Sequence, residues 1–158
     1  MDKEKLISRL NWFYSLELNQ VDLYKSQSKA FAKEYAGLVF ERLSSIEQRH
    51  VDNIGTKIKE LGAKPTAIGD VLSPVIGHIA GKIIGWRDLT EVLKINTLIE
   101  QKAMKDYKGL IEDIKNNHFG SEELIKVLQN NFIDENLHTE WLKTKLSELQ
   151  TLAFCLDP

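Results

Sequence analysis

Ser45-Ile46-Glu47-Gln48-Arg49-His50 and Ile133-Asp134-Glu135-Asn136-Leu137-His138 share one spacing, Glu-x-x-His. Residues at i and i+3 lie on the same face of a helix, so each pair aims a carboxylate and an imidazole in one direction. Each pair sits inside an apolar helical stripe, and each is preceded at a similar distance by a lone Glu, Glu17 or Glu100. Four carboxylates and two imidazoles converging in a core would be strongly destabilising unless cations neutralised them or most carboxylates took up protons. A pair of divalent metal ions supplies that charge. Glu17, Glu47, His50, Glu100, Glu135 and His138 are therefore the candidate ligands.

Outward from these pairs, apolar periodicity predicts four long helices and an all-α fold. The first is expected over Lys3 to Lys33, with Leu6, Leu10, Phe13, Tyr14, Val21, Tyr24 and Phe31 on one stripe. The second runs from Glu34 or Ala36 to Leu61 on Val39, Leu43, Ile46, Ile54, Ile58 and Leu61, with Gly62 as its stop. The third covers Asp88 to Asn116 on Val92, Leu93, Ile99, Ala103, Tyr107, Leu110 and Ile114. The fourth opens at Ser121, an N-cap signal, and continues through Leu124, Leu128, Leu142, Leu146 and Leu149.

Connection lengths give the topology. Short links near 33–37 and 116–120 make two antiparallel hairpins, while the long connection of about 62–87 must cross the bundle and leave the second and third helices parallel. That is the ferritin-like, one-crossover class of four-helix bundle. Glu17 and the Glu47/His50 pair are centred near residue 33, in the first link, and Glu100 and the Glu135/His138 pair near residue 118, in the last. All six side chains then reach one level. Six ordinary helix-surface groups would have no reason to do so.

The rest of the composition is consistent with one helical domain over 1–158. Net charge is −2, so no basic face offers itself to nucleic acid. Most of the 9 Gly fall in the middle connection, and 3 Pro leave long stretches free to be helical. The N-terminal MDKEKLISRL has no signal-peptide core, which predicts a cytoplasmic protein. The lone Cys155 has no partner thiol for a disulfide or for a thiolate-held iron or zinc, and reads as a bystander. The apolar run Val71 to Trp86 is interrupted by Pro74, His78 and Lys82 and is too short to span a membrane. Packing over the bundle is its expected role, with peripheral membrane or lipid-substrate contact as the alternative. His78 and His118 read as non-ligands.

Each half also places a tyrosine two turns after its lone Glu, Tyr24 after Glu17 and Tyr107 after Glu100. They read either as core packing with a partnered hydroxyl or as neighbours of the site that support it or relay a radical. Asp134, next to Glu135, stands where it could support the His50 imidazole or else lie exposed. Ile46 holds the matching place in the second helix, so support for His138 must come from elsewhere.

The order Glu, Glu-x-x-His, Glu, Glu-x-x-His resembles the ferritin-like di-iron carboxylate superfamily. Within it the chain most resembles the demethoxyubiquinone hydroxylase family of ubiquinone biosynthesis. The similarity lies in Glu17-x6-Tyr24-x2-Gln27, Glu47-x2-His50, Lys64-Pro65-Thr66 opening the crossover, Glu100-x6-Tyr107 and Asp134-Glu135-x2-His138. It implies two iron ions bridged by Glu47 and Glu135 and flanked by Glu17, Glu100, His50 and His138. Those hydroxylases continue past the fourth helix into a hydrophobic segment that engages membrane, whereas this sequence stops at Pro158.

Carboxylate and imidazole donors suit divalent iron, with manganese as the alternative. Two such metals a few ångströms apart predict an oxidoreductase that activates dioxygen or peroxide and draws on an external electron donor, whether to hydroxylate a ring, to oxidise more iron or to be drained by reductant; a quinone-like substrate is what the resemblance implies. A rubrerythrin-like peroxide or dioxygen reductase is the nearest alternative, although those proteins carry an extra Glu where this chain has Thr97 or Ala103. Iron storage in a closed shell is a further one, and it would call for a fifth helix beyond the fourth. A homodimer through helix faces would be ordinary for such a bundle.

Overall fold

A computed structural model describes residues 2–72 and 88–156, with side chains through residue 152. Four α-helices are present and no strand occurs among the described residues: α1 (Lys3–Ala30), α2 (Tyr35–Glu60), α3 (Leu89–Asn116) and α4 (Glu122–Leu156). Side-chain caps open three of them. Asp2 accepts from the Lys5 N–H at 2.8 Å, Asp88 from Thr90 at 2.8 Å, and Ser121 Oγ from Leu124 at 3.1 Å.

Helices α2 and α3 close in the same way. After α2, Gly62 takes a left-handed φ of 76° and the Ala63 N–H returns to the Ile58 carbonyl at 3.1 Å. After α3, His118 takes that role at φ 48°, and Phe119 returns to Ile114 at 3.1 Å. Both are Schellman closures. His118 is thus an exposed capping residue, and it is in neither of the Glu/His groups found among the described residues. His78 lies outside the described residues.

Helix α1 stops three residues short of the expected Lys33. Its end is set by Phe31, whose ring is buried against Phe40, and by Gly37, where a Cβ would stand 2.2 Å from the Phe31 carbonyl oxygen. The backbone of the link packs onto the first turn of α2, and only a residue without Cβ admits that approach.

Cross-helix contacts fix the directions. Along α1 and α3 the pairs Arg9–Asp113, Tyr107–Glu17, Tyr24–Glu100 and Gln27–Asn96 run in opposite order, so these helices are antiparallel. Helix α2 is antiparallel to α1, with Ser44 donating to the Val21 carbonyl near the middle of both. It follows that α2 and α3 are parallel, as the long crossover requires. Lys57–Glu123, Asn53–Asn131 and His50–Asp134 run antiparallel between α2 and α4.

The first part of the crossover lies along α1. Asn11, Ser15 and Asn19, one turn apart, accept the backbone N–H groups of Thr66 (2.8 Å), Ile68 (2.8 Å) and Val71 (2.7 Å). A segment with no secondary structure thereby satisfies its donors while passing over the bundle. The remainder, 73–87, with most of the apolar run on which the membrane reading rested, is outside the described residues. Among those described, no helix is long and apolar enough to cross a membrane.

Two apolar cores fill the bundle. One gathers Leu6, Leu10, Phe13, Ile54, Ile58, Leu110 and Leu128, and the other Phe31, Phe40, Leu43, Val92, Leu93 and Leu142. On every helix a member of each core flanks the predicted ligands, so the polar cluster sits between two dry plugs. On α2 the buried stripe is Ala36, Phe40, Leu43, Glu47, His50, Ile54 and Ile58, while Val39, Ile46 and Leu61 are only partly covered. The stripe is centred on the polar pair itself, and counting apolar residues alone displaced it.

Candidate metal centre

Glu17 projects from the middle of α1, Glu47 and His50 from α2, Glu100 from α3, and Glu135 and His138 from α4. The fold brings all six together, each no more than 3% exposed. They form two overlapping groups: Glu17, Glu47, His50 and Glu135, then Glu47, Glu100, Glu135 and His138, with the donor atoms of each group within 4.8 Å of one another.

Glu47 and Glu135 belong to both groups, and each turns one oxygen to each imidazole. His50 Nδ1 lies 3.0 Å from Glu47 Oε2, 3.2 Å from Glu135 Oε1 and 3.6 Å from Glu17 Oε2. His138 Nδ1 lies 3.1 Å from Glu47 Oε1, 3.7 Å from Glu100 Oε1 and 3.8 Å from Glu135 Oε2. None of these is an aligned hydrogen bond. Among the described residues, Glu17 Oε2, both oxygens of Glu47 and of Glu135, and both Nδ1 atoms are buried without a hydrogen-bond partner. Donors that share one cation at about 2.1 Å and near right angles stand about 3 Å apart, a spacing met by His50 Nδ1 with Glu47 and Glu135 and by His138 Nδ1 with Glu47, while the other three pairs stand 3.6–3.8 Å apart. Two divalent cations would also cancel the four carboxylate charges while both imidazoles stay neutral. By donor type, spacing and charge, the cluster is compatible with a di-iron site.

Protons reveal the same charge problem. Burial raises Glu17 to about 8, although the His50 imidazole pulls the other way. Glu135 is driven well above the carboxylate range by burial and by the charges of Glu100, Glu47 and Glu17. Burial acts to raise Glu47 too, but the imidazoles of His138 and His50 reverse it and hold the group below its usual range. Burial would lower His138, yet Glu100 and Glu47 carry it to about 10. His50 likewise rises well above its ordinary value against burial, through Asp134 first and then Glu135, Glu17 and Glu47. Without cations, the cluster balances itself by holding protons on both imidazoles and on some of the carboxyls.

The tyrosines are fully buried, and their hydroxyls cross between helices. Tyr24 of α1 donates to Glu100 Oε1 of α3, and Tyr107 of α3 donates to Glu17 Oε1 of α1. Burial, reinforced by the adjacent carboxylates, raises both phenols well above 10.0 and keeps them protonated donors. Asp134 Oδ2 is 3.1 Å from His50 Nε2 and 3.0 Å from Arg49, which places it beside the imidazole rather than free in solvent. Its hydrogen bond to His50 holds its carboxyl below the usual range.

Three neighbours, Gln20, Asn131 and Asn96, were not singled out from the sequence, and a fourth, Gln27, entered only as part of the motif that carries the resemblance. Gln20 donates to Glu100 Oε2 at 3.2 Å, Asn131 to the Tyr107 hydroxyl at 3.1 Å, and Gln27 and Asn96 exchange reciprocal amide bonds at 2.7 and 2.9 Å. All four are polar residues on otherwise apolar stripes, the same signal that marked the candidate ligands.

Residues 7–152 match the family model of the ferritin-like domain. No curated protein matches the sequence. Among solved structures, the chain is similar to the bacterioferritin of Desulfovibrio desulfuricans, whose structure describes a diiron site in different catalytic states. The TM-score is 0.79 at 20% identity, covering 95% of this chain and 82% of that one. That likeness carries the fold, and the family match spans nearly the whole of the described helices. The chain belongs to the ferritin-like domain family.

Proposed function

We propose that this protein is a di-iron carboxylate oxidoreductase that activates dioxygen or peroxide with electrons from an external donor. The observation that carries the reading is the pair of carboxylates shared by the two donor groups, Glu47 and Glu135, each with one oxygen toward each imidazole. Two iron ions held there by these residues with Glu17, His50, Glu100 and His138 would supply two-electron chemistry toward an oxidant. The chain's own part is positional. Glu17 and Glu100 are held by the tyrosine hydroxyls, and Asp134 fixes the His50 ring with Nδ1 inward. The apolar cores above and below keep bulk water from the cluster and strengthen every interaction inside it.

Hydroxylation of a quinol-like ring is the finer form of this proposal, and it rests on the resemblance carried by Lys64-Pro65-Thr66 and the crossover. That tripeptide also has a local task, since Thr66 docks on Asn11 and bonds back to the Lys64 carbonyl. Oxidation of iron itself is the second reading, favoured by the fold-level likeness to a bacterioferritin.

Anaerobic addition of ferrous iron with metal counting, then exposure to dioxygen or peroxide with and without a soluble quinol, separates these. The oxidoreductase reading expects two irons per chain, an oxidant-dependent optical change, and oxidised or hydroxylated quinol. Uptake of many irons by a cage-sized particle on size-exclusion chromatography would move the assignment to storage. Failure to bind iron, with Glu47→Ala and Glu135→Ala no different from the parent, would sink it.

A further inference from the structure

Between α1 and α3, one helical turn before Glu17, lies a cavity of about 250 Å³ lined by Arg9, Trp12, Phe13, Lys102 and Asp106. Its floor is Phe13, which is 1% exposed and lies against Tyr107 with ring centres 4.2 Å apart. Tyr107 in turn donates to Glu17. Trp12 stands edge-on to Phe13 at 5.1 Å and forms an aromatic wall. The charged groups, all partly exposed, form the mouth. Lys102 pairs with Asp106 one turn along α3, and its ammonium lies 4.9 Å from the centre of the Trp12 ring. Arg9 reaches from α1 to Asp113 of α3. The cavity thus offers rings to pack against, a carboxylate that can only accept hydrogen bonds, and two cations that can only donate them.

From this arrangement we infer that the cavity binds a hydroxylated single-ring arene, and that this molecule is the external electron donor. A hydroxyl both donates and accepts, so it can give its hydrogen to Asp106 and accept from Lys102 or Arg9 while the ring packs on Trp12 and Phe13. Size sets one limit. Drug-sized ligands occupy pockets of roughly 300 Å³ upward, so the space suits one ring and not a nucleotide-sized donor. Position sets the role. Phe13 and Tyr107 stand between the cavity and Glu17, so a ring bound there is in packing series with the cluster and yet is barred from receiving an oxygen atom. Electrons cross packed rings where atoms do not. Oxidation of a hydroquinone to the quinone breaks two O–H bonds and releases two electrons and two protons. One hydrogen peroxide that takes up both gives two waters as its O–O bond breaks. The inference rests on the di-iron reading above and deepens it, because it gives the electron donor a chemical class and a place to dock.

Magnetic resonance of the metal-free protein with isotope-labelled indole nitrogens tests the docking apart from the metals. The chain has 3 Trp, namely Trp12, Trp86 and Trp141, and so three indole N–H signals. Titration with hydroquinone under anaerobic conditions should shift, saturably, the signal that Trp12→Phe deletes. Para-dimethoxybenzene, which keeps the ring and loses the hydroxyl hydrogens, should bind roughly tenfold more weakly. Asp106→Ala should weaken hydroquinone by a similar factor, the worth of a hydrogen bond to a charged group. In the iron-loaded protein with peroxide, the same variant should raise the KM for hydroquinone about tenfold and leave kcat in place. A Trp12 signal that does not move, or equal binding of the dimethoxy compound, overturns the site while the di-iron reading stands. So does undiminished binding by an Asp106→Ala variant that is folded by circular dichroism. Docking of hydroquinone without quinone formation, in protein that carries two irons and reduces peroxide with dithionite, overturns the donor role. Failure to take up iron removes the di-iron reading and the donor role with it, whatever the indole signals show.

Discussion

Tyr107 and Tyr24 differ in what each hydroxyl holds. Tyr107 donates to Glu17 and accepts from Asn131, so its loss orphans a buried donor and removes a bond to a buried carboxyl. Tyr24 donates to Glu100, which keeps its second bond from Gln20. Leaving buried partners unsatisfied costs roughly 1–3 kcal/mol each. Tyr107→Phe is therefore expected to destabilise the metal-free protein more than Tyr24→Phe, measured by urea unfolding, and equal losses would contradict the account. Both tyrosines were legible in the sequence as members of the stripes that carry the candidate ligands, because position along one helix is enough to assign a face. Their crossed pairing was not legible. It depends on the register of α1 against α3, which no periodicity within either helix encodes. Asp134 was placed by the same one-helix logic, but the Arg49 contact that anchors it comes from α2, and whether a polar residue beside a buried one turns inward is decided by the facing helix.

At the scale of the helices, two glycines make opposite predictions. A Cβ at Gly37 would stand 2.2 Å from the carbonyl oxygen and 2.7 Å from the carbonyl carbon of Phe31. Backbone atoms cannot swing aside, so Gly37→Ala must displace the α1–α2 link and with it Phe31 in the core; at least about 2 kcal/mol should be lost. Gly109, inside α3, meets nothing nearer than Arg9 Nη2 at 3.8 Å. Gly109→Ala should stabilise the helix by roughly 0.5–1 kcal/mol through backbone entropy alone. Thermal melts of the two variants give the signs, and a neutral Gly37→Ala would refute the close approach. Element boundaries show the same limit. The C-terminal ends of α2 and α3 were readable from Gly62 and from the His118-Phe119-Gly120 break because a left-handed closure has a chemical signature. The end of α1 has none, since a bulky ring and a glycine six residues away in the next helix decide it together. The Asn11, Ser15 and Asn19 ladder went unread for a related reason, because its partners are backbone groups and leave no mark in the sequence.

For the molecule as a whole, the fold rests on a cluster whose charge must be met by protons or by cations, and that choice makes stability depend on pH in a defined direction. Glu17 rises from 4.5 to about 8 on folding, so between those values the folded chain holds a proton that the unfolded chain has lost. His138 rises from 6.5 to about 10, and its contribution, full below 6.5, is lost as pH climbs through 10. In both windows the native state binds more protons than the unfolded one, and stability must fall as pH rises. Glu47 and Asp134 act in the opposite sense, since their depressed values give stability that is lost on acidification. The metal-free protein should accordingly be most stable near mildly acidic pH and weaken toward about pH 9. Cation binding reverses this trend. Ligation needs ionised carboxyls and neutral imidazoles, so uptake releases protons and grows stronger with pH. Melting the protein with a chelator or with manganous ion, in anaerobic buffers from about pH 6 to about pH 8.5, should show a gap in melting temperature that widens as pH rises. A gap that narrows over this range would mean that the six side chains do not exchange protons for metal, and the reason for burying them together would have to be sought elsewhere.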